Sequence, residues 1–418
     1  MARSPAAPLD FTPPDCFRPA LKEELQKNAA GCMECRLCVK ECRFLQKYGT
    51  PKQIAASYDP GSPTGQAMAF ECSLCRLCEA VCPPKVGLNP ARMFLEMRRE
   101  AVERGVGDFS KHGGILGYER RGTSKRYSYY ALPAACDTVF FPGCTLPGTR
   151  PGKVLDLFSH LEKSLLNLGI VLDCCTKPSH DLGREQQFQA MFGEMRAYLL
   201  AHGIKKILVA CPNCYRVFKE YGNGIAVQTV YEYLAEHALP VSPRVSGVVT
   251  VHDPCATRYD QEIHKAVRRL AAQKGLELVE MKHRGGKTLC CGEGGSAGFL
   301  MPELSKAWGM RRKEEANGTR ILTYCAGCAN FLGAVNPTSH VLDLLFEPEA
   351  TLTGRAKVSK APWTYLNRLR LKRHFKKKIK AAAARERTFT GAEKPSKAGI
   401  LKRLGFLAGL VGIIVANQ

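Results

Sequence analysis

Eighteen of the twenty cysteines in this 418-residue chain fall into four groups, and their spacing limits what it can fold into more than any other feature. The first group is Cys32-x-x-Cys35-x-x-Cys38-x-x-x-Cys42; the second, Cys72-x-x-Cys75-x-x-Cys78-x-x-x-Cys82, is followed by Pro83. Three thiolates two residues apart can wrap three corners of one compact inorganic core, while the fourth points at a second core. The spacing therefore predicts two [4Fe-4S] cubanes with crossed ligands. Cys32, Cys35, Cys38 and Cys82 would hold one, and Cys72, Cys75, Cys78 and Cys42 the other. Zinc knuckles also use Cys-x-x-Cys, but a four-ligand zinc site gives no reason for the eight-cysteine pattern. Arg43 stands after Cys42 where a proline is usual, a change to the exit turn and not to a ligand.

The third group is Cys144, Cys174-Cys175 and Cys211-x-x-Cys214; the fourth is Cys255, Cys290-Cys291-Gly292 and Cys325-x-x-Cys328. Each begins with a short apolar run ending in cysteine and closes with another, Lys206 to Cys211 and Arg320 to Cys325. The order of elements is that of a duplicated unit. Apolar runs of this length between helical patterns predict parallel strands with crossover helices, and ligands of such sheets lie beyond the strands' carboxyl ends.

The cysteines do not read as a disulfide framework, because disulfide-dense chains are usually short and secreted. Met1 to Asp15 is proline-rich and has no apolar run of the signal-peptide kind, so a cytoplasmic location is expected. The net charge of +23 is concentrated: Thr351 to Arg403 holds 17 Lys plus Arg against 2 Glu. That distribution indicates a tethering segment and not nucleic-acid binding, since aromatic interleaving is sparse.

On these motifs, from about Leu21 to Phe346, the chain resembles the cysteine-rich, or CCG, domain family. Its members include catalytic subunits of heterodisulfide reductases and iron–sulfur subunits of glycolate, lactate and anaerobic glycerol-3-phosphate dehydrogenases. The helical sequence around the first two groups is similar to the all-helical ferredoxin domain of succinate and fumarate dehydrogenases. The resemblance implies an α+β multidomain chain: an all-helical dicluster ferredoxin domain, two pseudo-repeated α/β cysteine-rich (CCG) domains and a basic helical tail. The expected boundaries are an N-terminal extension over 1–20, the ferredoxin domain over 21–110 and a linker over 111–135. The cysteine-rich domains follow over 136–245 and 246–350, and the basic tail with a short apolar C-terminus over 351–418.

The resemblance also implies that a complete five-cysteine set holds a non-cubane [4Fe-4S] cluster. A bridging thiolate gives an adjacent Cys-Cys pair chemical sense there. Gly292, Gly294, Gly295 and Gly298 would let backbone approach sulfide without a Cβ. Pro212 suits the first turn of a helix whose amides face an anionic cluster. Thr176 stands where the family has glycine, so the first site is open between a second such cluster and a zinc or vestigial structural site. One or two non-cubane clusters are therefore expected. Cys16 and Cys136 read as incidental or buried, and His252 as a packing residue or a donor near a cluster.

The expected function is that of an iron–sulfur oxidoreductase subunit that takes electrons through its cubanes and reduces a disulfide of the heterodisulfide type. The alternative is an electron relay between a flavin dehydrogenase, of the 2-hydroxy-acid or glycerol-3-phosphate kind, and the quinone pool. Either implies other redox subunits as partners, a flavoprotein or a membrane quinone or cytochrome subunit. The cationic helix expected over Trp363 to Lys380 and the apolar end, Ile400 to Ala416, fit peripheral attachment to an anionic inner membrane face and, equally, a solvated tail that touches an acidic partner subunit. Only 13 residues, mostly apolar, run from Leu404 to Ala416, short of the roughly 20 needed to span.

Overall fold

The computed structural model describes residues 16–387. Before Tyr129 the described residues form helices and loops only. Helix Pro19–Gly31 packs against helices Pro51–Ser57 and Pro90–Glu103, burying Leu21, Leu25, Ile54, Ala55, Phe94 and Met97 in one core. Met93, Phe94, Met97 and Ala101 share the inward face of the last helix, as their spacing predicts. Proline opens all three helices, where its missing N–H costs nothing. Thr50 adds a reciprocal cap with Gln53.

Two sheets follow. The first has six strands: β1 (Tyr129–Leu132), β2 (Thr138–Phe141), β3 (Gly169–Leu172), β4 (Lys206–Val209), β5 (Ala226–Thr229) and β10 (Ala383–Arg385). The second has four: β6 (Gly247–His252), β7 (Leu276–Leu278), β8 (Arg320–Thr323) and β9 (Thr338–His340). The parallel parts run β3-β2-β4-β5 and β7-β6-β8-β9, the same order twice. In the first sheet β2, β3 and β4 are buried on both faces, as helix-covered parallel strands should be.

Two segments differ from their sequence reading. Residues 111–135, expected as a linker, contain a helix, Gly113–Gly122, and β1, whose residues are all buried. Alternation is absent there because β1 is covered on both faces. The basic helix forms over Trp363–Lys378, but it is not a free tether. Leu371 and Phe375 are buried in the first sheet's core, with Phe375 edge-on to Phe158 at 4.9 Å. Beyond it, β10 pairs antiparallel with β1. Its charges disguise a narrow apolar stripe, and two of its basic residues, Arg368 and Lys372, are buried as well. No helix among the described residues is long and apolar enough to cross a membrane. The apolar run from Ile400 to Ala416 and residues 1–15 lie outside the described residues.

Candidate iron–sulfur centres

Each ferredoxin run is folded by backbone, not by side chains alone. Glu34 and Arg36 (φ 51° and 60°) in the first run match Leu74 and Arg76 (φ 48° and 61°) in the second. Left-handed residues alternating with right-handed ones turn successive N–H groups to one side, making an anion-binding concavity of the kind found at iron–sulfur sites. One such cavity is lined by Cys32, Cys35, Cys38 and Cys82; the other by Cys42, Cys72 and Cys75; Cys78 borders both. The fourth cysteine of each run has crossed over, as its offset requires. Around the first cavity Cys35, Met33 and Leu37 are exposed. Around the second, Cys72, Cys75 and Cys78 are buried and Cys42 is half-buried.

The paired-cysteine sites form at the carboxyl ends of the two sheets. In the first, Cys144 follows β2, Cys174 and Cys175 follow β3, and Cys211 follows β4, with Cys214 in the first turn of helix Pro212–Tyr221. Thiol hydrogen bonds run Cys144–Cys174–Cys175–Cys214–Cys211. In the second they run Cys255–Cys290–Cys291–Cys328–Cys325, the same order. Hydrogen bonds from Cys174 and then Cys214 hold the Cys175 thiol down at about 6, and Cys290 and then Cys328 do the same for Cys291. Both Cys-Cys pairs thus have one sulfur disposed to ionise, the form a metal needs.

The two sites touch. Cys211 and Cys325 lie within hydrogen-bonding reach of each other. The buried hydroxyl of Tyr231 sits 2.7 Å from the Ala210 carbonyl and 2.9 Å from that of Tyr324, the residues before those two cysteines. One side chain therefore ties the two strand ends together. A buried ion pair, Arg150 to Asp343 at 2.8 Å, joins the same two repeats. Glu293 lies beside Cys325 and Cys328, and burial, then the charges of Cys211 and Cys144, raise its carboxyl to about 7.

The second site also abuts the ferredoxin loops. Cys255 and Cys290 pack in the same core as Cys72 and Cys75. A Cβ on Gly294 would fall 2.6 Å from the Ser73 carbonyl and 3.2 Å from Cys290 Sγ; on Gly295, 2.8 Å from the Cys72 carbonyl. These glycines are needed, but partly for the ferredoxin loop. A Cβ on Gly292 or Gly298 would meet Ser305, while the Gly292 amide itself donates to Cys290 Sγ at 3.3 Å. Two wholly buried arginines staple the junction. Arg98 donates to the carbonyls of Ala69, Cys72, Asp181 and Gly295; Arg258 donates to those of Cys75, Gly286 and Thr288. Sequence reasoning missed Tyr231, Arg98 and Arg258, because a side chain that binds distant backbone leaves no local signature.

Whether these residues fit iron–sulfur clusters can be tested on the polar atoms left over. His252 is fully buried with neither ring nitrogen hydrogen-bonded, and its ring lies within 4.8 Å reach of the Cys291 and Cys328 sulfurs. Arg312, equally buried, leaves Nε and one terminal nitrogen unpaired. Buried donors without acceptors are costly, so their presence beside thiols fits an anionic group that accepts from them. The glycine cradle and the thiol-rich donor sets fit as well. His180, by contrast, bridges Tyr221 at 2.9 Å and Asp181 at 3.0 Å, a packing role on the wall of a cavity of about 360 Å³. Cys136 is buried against the Thr138 carbonyl, and Cys16 is exposed.

Comparison with known proteins agrees with this geometry. Residues 31–87 match the 4Fe-4S dicluster domain, and residues 138–219 and 249–333 each match the cysteine-rich domain. The chain belongs to the CCG family of iron–sulfur oxidoreductases. Within that family it is 23% identical to an uncharacterized iron–sulfur protein of Methanocaldococcus jannaschii, over 73% of this chain and 68% of that one. It is 23% identical to one component of the dihydromethanophenazine:CoB–CoM heterodisulfide reductase of Methanosarcina barkeri, over 62% of this chain and 69% of the relative. It is 25% identical to the EtfAB:quinone oxidoreductase of Syntrophomonas wolfei, over 68% of this chain but only 45% of that longer protein. This CCG-family chain is accordingly an iron–sulfur protein of oxidoreductase type.

Proposed function

We propose that the chain is the disulfide-reducing subunit of an iron–sulfur complex. Cys32, Cys35, Cys38 and Cys82 hold one cubane, and Cys42, Cys72, Cys75 and Cys78 the other. Cys144, Cys174, Cys175, Cys211 and Cys214 hold one non-cubane cluster, and Cys255, Cys290, Cys291, Cys325 and Cys328 a second. Bound clusters supply single-electron transfer. A disulfide needs two electrons and two protons to become two thiols, so two one-electron centres must serve one point. The observation that carries the reading is the meeting of Cys211 with Cys325, which brings both five-thiol sets to one place. Tyr231 maintains that meeting, and Arg98 and Arg258 hold the second set against the ferredoxin loops. The exposed Met33, Cys35 and Leu37 rim is where an electron-donating redox subunit would dock.

The protein purified without oxygen should reduce a panel of disulfides with reduced viologen, in the absence of any partner. Inertness with every disulfide, with activity appearing only when a flavoprotein is added, contradicts it.

That second outcome belongs to the relay reading, favoured by the likeness to EtfAB:quinone oxidoreductase. There the chain passes electrons between a flavoprotein and a membrane quinone or cytochrome subunit. The basic C-terminus would then rest on the anionic inner face of the cell membrane from the cytoplasmic side.

A further inference from the structure

The matched cysteine-rich segments end at residue 333, yet the first paired-cysteine site is not closed by residues before that point. Helix Trp363–Lys378 lies on the short helix Thr145–Thr149 that leaves Cys144. Asn367 donates to the Gly148 carbonyl at 2.9 Å, and a Cβ on Gly148 would press on Thr364 at 3.2 Å. The approach is close, and it delivers one residue inward. Arg368 is buried, with one terminal nitrogen 3.4 Å from the Gly122 carbonyl and the other without a partner. Tyr118 and Tyr127 flank it, their ring centroids 5.5 and 5.1 Å from the guanidinium carbon. The Tyr118 hydroxyl donates to the Cys144 carbonyl at 3.0 Å. A Cβ on Gly122 would sit 3.2 Å from the Arg368 terminal nitrogen and 3.4 Å from the Cys174 Cβ, so guanidinium and ligand loop share one gap.

The same segment reaches the site again. Arg387 pairs with Asp173 at 3.0 Å, both wholly buried, and the other Asp173 oxygen accepts the Cys174 amide at 2.7 Å. A buried arginine with a free N–H costs stability unless an acceptor completes it. Here the nearby groups that could do so are the Cys144 and Cys174 sulfurs, which would be thiolates once they ligate a metal, and what they bind. Arg368 supplies a guanidinium cation.

From this geometry we infer that Arg368 is a positioning residue of the first paired-cysteine site, a cation lent by the C-terminal helix that raises the reduction potential of the group held there. The inference rests on the reading that this site holds a redox cluster. An added positive charge in a poorly screened interior favours the more negative, reduced form.

The test uses the full-length protein, anaerobically purified, with Arg368→Gln, Arg368→Met and Arg368→Lys variants and Cys175→Ser as a marker of the first-site signal. Spin-resonance-monitored redox titration follows each cluster. With iron content unchanged, Arg368→Gln or Arg368→Met should lower the reduced-to-oxidised ratio of the Cys175-dependent signal at least tenfold at fixed potential. That is a shift of 59 mV or more for one electron. Arg368→Lys should retain most of the potential, and the ferredoxin signals should stay put. An unmoved Cys175-dependent potential in either neutral variant overturns the inference and leaves the cluster reading standing. If Cys175→Ser removes no signal and no iron, the cluster reading itself fails, and the inference with it. Should Arg368→Met not fold, the Gln and Lys pair decides alone.

Discussion

The two paired-cysteine sites have the same five thiols in the same hydrogen-bonded order, but different walls. The second is enclosed by its own repeat and by the ferredoxin loops: Arg258, Arg312 and His252 supply its cations and N–H groups, and Ser73 presses on Gly294. The first is enclosed by the helix Gly113–Gly122 and by the C-terminal segment, through Tyr118, Glu119, Arg368 and Arg387. Even the residue after each Cys-Cys pair has diverged. Gly292 takes φ 104°, a conformation and a crowded position that admit no side chain, whereas Thr176 takes φ 55°, ψ 25° and bonds its hydroxyl to the Cys175 carbonyl at 2.8 Å. A β-branched residue in that region is strained, yet allowed when its surroundings fix it. The two repeats thus share their thiol pattern but not their surroundings. Outer shells set affinity and potential, so on the proposed reading the two sites would differ as redox groups. The second packs against the ferredoxin loops, and the first meets the second at Cys211 and Cys325.

The strongest way to break this comparison is to remove one ligand from each site. Cys175→Ser and Cys291→Ser should each cost roughly four irons, the content of one [4Fe-4S] unit, and each should abolish disulfide turnover. Iron assay and viologen-coupled turnover read both, and retained turnover in either would mean that the sites do not act together. Exchange of the divergent residue comes next. Gly292→Ala should destabilise by about 3 kcal/mol in anaerobic denaturation, because the added Cβ would lie 2.7 Å from the Ser305 carbonyl at positive φ. Thr176→Gly should change stability by only about 1 kcal/mol, strain relief offsetting the lost hydrogen bond. Equal effects would refute the asymmetry.

Glu119 sharpens the first site's side. Burial raises its carboxyl from 4.5 to about 7, against hydrogen bonds from the Ser179 hydroxyl and amide that favour the ionised form. Because the folded state binds this proton more tightly, its contribution is complete below about pH 4.5 and disappears as pH rises through about 7. Wild type should therefore lose about 2 kcal/mol relative to Glu119→Gln between pH 5 and pH 8. A flat difference across that range would show the carboxyl to be unperturbed. The smallest effect is expected at the seam. Tyr231→Phe removes the hydroxyl between two strand-end carbonyls and should cost about 1 kcal/mol in denaturant unfolding, with iron content retained.

Much of this is legible in the sequence. The cysteine spacing foretells which thiols gather in each of four places, including the crossing of Cys42 and Cys82, because ligand geometry is a local constraint. The helix Pro90–Glu103 and the parallel strands follow from period and apolar runs. What escapes has non-local causes. The strand Tyr129–Leu132 lacks alternation because both faces are covered, and the basic helix hides Leu371 and Phe375 among its charges. Arg98, Arg258 and Tyr231 bind backbone from distant parts of the chain, which no spacing rule reaches. Gly292 and Gly298 also give room to Ser305, a distant residue that the spacing does not foretell, while the Gly292 amide reaches Cys290 Sγ.

Both paired-cysteine sites must hold clusters if they are to act as a pair, and a metal and sulfide count on the oxygen-free protein tests that most directly. Four clusters predict about sixteen irons and as much acid-labile sulfide per chain. About eight irons, with zinc or no metal at the paired cysteines, would contradict it.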